Sequence, residues 1–159
     1  MVTENDSGLI VISGPPSREA FLVGFWRWVE LLASGEHERA SAALWRKPAP
    51  FWSRWFRSPP DPEALPQRIR TLWGGDQPWH VVVPNARIVG EVNNAAETSF
   101  PAKPPWGPGR VGWGLAHVPV TVEPARAKDD DVPLMGVAVS FFLREVPGGL
   151  AMEFEIVHV

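Results

Sequence analysis

The chain ends in a stretch of near-strict alternation, LMGVAVSFFLREVPGGLAMEFEIVHV, residues 134–159, and nothing else in it restricts the fold as tightly. Apolar side chains recur at every second position, the period of a strand with one buried face. Gly148 and Gly149 interrupt the alternation at its middle. A two-residue turn built on them, with positive φ at both positions, predicts a hairpin with Pro147 opposite Leu150. Leu143 then faces Phe154, Phe141 faces Ile156 and Val139 faces His158, while Arg144 meets Glu153 on the reverse face. A slip of one residue would set Leu143 against Glu153, so pattern and turn select one register.

A sheet with one apolar face needs a cover, and the first half of the chain supplies helical periods. Ser17 after Pro15-Pro16 reads as a helix cap, followed by Phe21, Phe25, Trp28, Val29 and Leu32 on one stripe. Gly35 ends this helix, and a second runs from Glu36 to about Trp45. The rings of Phe51, Trp52, Trp55 and Phe56 share one face of a short third helix, with Arg54 and Arg57 facing elsewhere. A fourth, DPEALPQRIRTLWGG, begins near Asp61-Pro62 and ends at Gly74-Gly75. Beyond it, WHVVVP and ARIVGEV read as a strand broken near Pro84-Asn85. The span from Asn93 to Arg110 reads as a long ordered loop. GLAHVPVTVE alternates Ala116, Val118, Val120 and Val122 against His117, Pro119, Thr121 and Glu123, with Pro119 marking an edge or a bulge. Helices first and strands afterwards predict an α+β domain over residues 17–159, preceded by an extension over residues 1–16.

Composition narrows the function classes. The 159 residues carry 15 basic and 18 acidic side chains, a formal charge of -3 that speaks against a dedicated nucleic-acid binder. Without cysteine, disulfides and thiolate chemistry are excluded, which is compatible with a reducing cytoplasm. The amino-terminal run Leu9 to Ile12 is too short for a secretory signal or a membrane span, so a cytoplasmic location is expected. Nine Trp and eight Phe with no Tyr place large rings in the core or at a binding surface and remove any tyrosine-dependent mechanism.

The order of elements, together with the junction LLASGEHERASAALW, resembles the nuclear transport factor two-like superfamily, a cone-shaped, cystatin-like α+β fold. Its short loop between the first two helices commonly carries a small residue, a glycine and an acid, which Ser34, Gly35 and Glu36 match. RKPAPFWSRWFRSPP and the long loop after residue 93 depart from the pattern. The resemblance implies three to four amino-terminal helices packed on the concave face of a curved, mostly antiparallel sheet. It further implies a cavity between helices and sheet, and a homodimer formed through the outer sheet face, where Gly136, Ala138, Ser140, Phe142, Ala151, Glu153, Glu155 and Val157 fall.

Under that reading Trp26, Trp52, Trp55, Val139, Phe141, Phe154, Ile156 and His158 would line a site for a small apolar or aromatic ligand. Alternation puts His158, the penultimate residue, on the face of Leu150, Met152, Phe154 and Ile156, where an imidazole could act as a general base or hydrogen-bond a ligand. Glu145 shares that face but stands roughly 20 Å from it at strand rise, too far for a dyad. His80, His117 and Glu123 read as rim or surface groups. Consecutive Asp129, Asp130 and Asp131 diverge and make no metal site, and GPGRVG is followed by a strand rather than the helix that phosphate binding needs. No cofactor is implied. The chain therefore reads first as a non-catalytic binding domain for a small ligand or a protein partner. A lyase, cyclase or isomerase using His158 comes second, and a toxin-neutralising immunity protein third.

Overall fold

The computed structural model of the chain describes residues 1–47, 80–121 and 135–158. It is an α+β fold in which a strongly curled antiparallel sheet is packed by helices. Seven strands follow in chain order: β1 (Val2–Glu4), β2 (Ile10–Ile12), β3 (His80–Val81), β4 (Glu97–Ser99), β5 (Arg110–Thr121), β6 (Met135–Val146) and β7 (Gly149–His158). Their order across the sheet is β1-β2-β7-β6-β5-β3, with β4 on β5 as well. Three helices are present among the described residues, α1 (Arg18–Ala33), α2 (His37–Ala42) and α3 (Ala86–Ala95). Two of these are amino-terminal, fewer than the three to four expected. The helices read over Phe51–Phe56 and Asp61–Gly75 lie outside the described residues.

Helix α1 forms where its caps dictate. The Ser17 hydroxyl accepts from the Ala20 amide at 3.1 Å, satisfying one orphan donor of the first turn. At the other end Gly35, at φ +76°, lets its own amide reach the Leu32 carbonyl and the Glu36 amide reach the Leu31 carbonyl. This is a Schellman closure, the physical content of the Ser-Gly-Glu junction. Between the caps, Phe21, Phe25, Trp28 and Val29 are each 0% exposed, and the Phe21 ring packs on Gly114 of β5 and Phe141 of β6.

Of the alternation read in β5, Ala116, Val118 and Val120 are buried in the core they share with Val137, Val139 and Leu143 of β6, but Pro119 and Thr121 are buried as well, and Val122 and Glu123 lie outside the described residues. Pro119 is tolerated because the Val82 amide donates to its carbonyl on the β3 side. In an extended residue the nitrogen points the same way, so the missing N–H removes no bond to β6.

The terminal hairpin is real, but its register is not the expected one. The turn is Pro147-Gly148, not Gly148-Gly149, and pairs Val146 with Gly149. Proline's fixed φ suits the second residue of a turn and Gly148, at φ +92°, the third. Gly149 opens β7 instead, at a point where a Cβ would lie 2.4 Å from the Ile12 carbonyl oxygen. Moving the turn back by one residue shifts each partner by two, so Leu143 faces Met152 and Phe141 faces Phe154, and from Leu150 to Phe154 the residues keep their expected faces. A bulge follows at Glu155, and beyond it Ser140 pairs with Ile156, Val139 with Val157 and Ala138 with His158. The ladder position across from Val139, expected for His158, is occupied by Val157.

Two further expectations change. ARIVGEV is helical, as α3. The Asn85 carboxamide accepts from the Ile88 amide at 2.9 Å, and Ile88 and Val92, four apart, are the buried side chains. The cap and the i, i+4 spacing outweigh the strand preference of the apolar run. Within the expected loop, Glu97–Ser99 forms β4 against Trp113–Leu115. The first sixteen residues contribute the β1–β2 hairpin, which joins the sheet beside β7 and buries Ile10, Val11 and Ile12.

Candidate functional site

The helix-covered face of the sheet is where a cavity was expected, and it is packed with rings. Phe141 is 0% exposed and is met edge-on by Trp28 at 5.2 Å and by Phe154 at 5.6 Å, with Phe21 and Phe25 each at 6.4 Å. Such tilted and edge-to-face pairs are the favourable aromatic arrangements. Glycines let these rings come close: a Cβ on Gly114 would lie 2.6 Å from the Phe21 ring, one on Gly112 2.5 Å from Phe100, and one on Gly24 2.5 Å from Ile12. Val139 is likewise fully buried.

Of the residues assigned to a ligand site, Val139 and Phe141 are fully buried in the core, Phe141 against the α1 rings, and Phe154 packs on Phe141. Trp26 stands apart, half-buried, its indole N–H donating to the Asn93 carboxamide of α3 at 2.7 Å. Trp52 and Trp55 lie outside the described residues, as do the side chains of Ile156 and His158, whose backbones belong to β7. The Trp28 indole nitrogen is buried without a hydrogen-bond partner.

The outer face of the sheet carries the polar organisation. Arg110 and Arg144 occupy directly opposed positions on β5 and β6, a pairing that repels unless a counter-charge intervenes. Glu153 supplies it. Arg110 donates to it twice, at 2.7 and 3.0 Å, and Arg144 once at 3.0 Å. Burial alone would raise the Glu153 carboxyl, but the hydrogen bonds from Arg110 and Arg144 outweigh it and hold the group below its ordinary value. Both guanidiniums also stack, Arg110 over Phe142 at 4.1 Å and Arg144 over Trp45 at 3.8 Å. The remaining donors tie down the loop before β5, Arg110 reaching the Trp106 carbonyl and Arg144 that of Pro108. Trp106 covers Phe142 at 5.8 Å, leaving Phe142 only 6% exposed although it points outward. Beside this cluster Glu155 accepts from Ser140 at 2.8 Å and from the Trp113 indole at 2.7 Å.

Sequence reading found the Arg144–Glu153 contact and missed Arg110, which sits after a Pro- and Gly-rich run where no periodicity announces a strand. A signal did exist: Arg110 is two residues from a glycine-punctuated alternation, Gly112, Gly114, Ala116, that continues β5 backwards.

Among the described residues, clefts open at the surface in two places that bear on binding. One, about 430 Å³, lies between the β1–β2 loop and α2, where Arg46 is already engaged by the Ser41 hydroxyl. The other, about 280 Å³, lies between α3 and the rim of β5–β6 and includes His117. Among the described residues no three His, Asp or Glu side chains gather in a metal-binding group, and no helix is long and apolar enough to cross a membrane. Searches against protein families, curated proteins and solved structures find no match to this chain.

Proposed function

We propose that the chain is a non-catalytic binding domain of the nuclear transport factor two-like type that engages its partner on the outside of the sheet rather than within the cone. The observation that carries this reading is the ring packing on the helix-covered face, where Phe21, Phe25, Trp28 and Phe141 occupy the space a substrate would need. A binder needs only an accessible surface, whereas an enzyme of this type needs a polar, reachable cavity floor.

The partner that best suits the outer face is a second copy of the chain. Small residues Gly136, Ala138 and Ser140 flatten the sheet there, next to the half-exposed rings and chains of Trp113 and Leu115. Two such faces pack sheet to sheet about a twofold axis, placing the same patch on both sides. Light scattering on the full chain at micromolar concentration tests this, with a dimer expected for the wild type and a monomer for Leu115→Glu. A wild-type monomer overturns the proposed partner.

A further inference from the structure

The imidazole of His117 is positioned unlike any other titratable group in the described part of the protein. It projects from the outer face of β5, and its Nδ1 is sealed from solvent with no hydrogen-bond partner, a condition that costs free energy and calls for an explanation. Its ring lies down on Gly136 of β6, where an added Cβ would meet the His117 Cβ at 3.0 Å and Cδ2 at 3.2 Å. With no side chain at 136, the ring borders a cleft of about 280 Å³ whose other walls are Ile88, Val92 and Ala95 of α3 and Pro119. Mostly apolar walls with a few convergent polar groups are the ordinary make-up of a small-molecule site, and this volume lies just below the usual range of about 300–1,000 Å³, sized for one or two fused rings.

Charge at the mouth selects further. Glu91 is the charged residue among the lining side chains, and its carboxylate is 59% exposed and shared with Arg87 at 3.1 Å on the outer side of α3. No lysine or arginine lines the cleft to receive an anion. An anionic ligand would find no cation in the lining, since Arg87 beside the mouth is engaged by Glu91, whereas a neutral or cationic one needs none.

We propose that this cleft binds a small, flat aromatic molecule, neutral or cationic, whose ring lies between α3 and Pro119 and whose polar group hydrogen-bonds the His117 imidazole through Nε2. The proposal rests on the reading of the chain as a binding domain; its cleft lies beside α3 and shares Gly136 with the proposed dimer face.

Three probes with one ring and three charges test it on the full-length chain: indole, tryptamine and indole-3-carboxylate, followed by backbone amide shifts in nitrogen-15 spectra. Indole and tryptamine are expected to produce saturable shifts centred on Val92, Ala95, His117 and Gly136, and the carboxylate to bind at least roughly tenfold more weakly, a difference of about 1.4 kcal/mol. Gly136→Leu, which fills the cleft, abolishes those shifts. His117→Phe, which keeps a ring but no nitrogen, weakens indole by about three- to tenfold, the worth of one hydrogen bond. Absence of binding by all three probes, equal binding of the carboxylate, or indifference to both substitutions overturns the proposal. Shifts centred on Phe141 and Trp28 overturn both this site and the packed cone, whereas a monomer in light scattering overturns only the dimer.

Discussion

Gly114→Ala is the smallest change that tests whether the helix rings are seated directly on the sheet backbone. The new methyl group would sit 2.6 to 2.7 Å from three carbons of the Phe21 ring. Phe21 has nowhere to retreat, because it is 0% exposed and flanked by Phe25 at 6.1 Å and Phe141 at 6.4 Å. Either α1 lifts or β5 bends, and overpacking of this kind costs about 1–3 kcal/mol. At about 2–4 °C per kcal/mol for a chain of this size, the melting temperature falls by about 2–12 °C. Adding Phe21→Leu shrinks the obstructing ring, so the double variant is less destabilised than the sum of the two single ones, by about 1 kcal/mol. Gly90→Ala is the control. It makes the same chemical change inside α3, where a Cβ would meet nothing within 4 Å, and gains about 0.5–1 kcal/mol of helix stability. Urea unfolding followed by tryptophan fluorescence reads all four variants. Equal, near-zero effects at positions 114 and 90, or strict additivity of Gly114→Ala and Phe21→Leu, would refute the seating of the Phe21 ring.

The outer-face cluster yields a pH-dependent outcome. Glu153 has a folded-state pKa below its unfolded value, so its stabilisation is complete above the ordinary carboxylate range, about pH 4.3, and is lost as pH falls through the lower folded value. Glu153→Gln therefore costs about 2 kcal/mol at pH 7 by leaving Arg110 and Arg144 facing each other, and the gap from wild type closes in acid. A gap that widens in acid contradicts the assigned pairing. Asn93→Leu removes the acceptor of the Trp26 indole, costing about 1 kcal/mol, with a shift of the Trp26 side-chain N–H resonance as its signature. An unmoved Trp26 resonance would show that the bond is not made in solution.

How much of this was legible in the sequence depended on whether the deciding interaction was local. Ser17 and Gly35 bound α1 because caps act within four residues, and Ala116, Val118 and Val120 mark the buried face of β5 by period alone. The two faces of the terminal hairpin were readable for the same reason. Its register was not, because Val146-Pro147-Gly148-Gly149 contains two competing turns, and the choice falls on the one that leaves Gly149 free to approach the Ile12 carbonyl from another part of the chain. The bulge at Glu155, anchored by Ser140 and Trp113, is equally a product of contacts distant in sequence. Residues 86–95 were misread because Ile88-Val89 favours a strand by composition, while Asn85 and the spacing to Val92 favour a helix by geometry. Of the candidate site, the aromatic character was visible and its destination was not: Phe141 and Trp28 meet each other instead of lining a hollow. The His117 cleft depends on α3, and so was hidden with it.

The helix-covered face of this sheet is filled, and the indole N–H of Trp28, buried and without a hydrogen-bond partner, is placed to report on it. The most direct measurement is its proton–nitrogen resonance, assigned with a Trp28→Phe variant and followed while benzene is raised to saturation. A resonance that stays fixed is the predicted result, since a ring enclosed by Phe25 and Phe141 has no room for a guest. A saturable displacement of that resonance would mean the cone admits a ligand, contradicting the account.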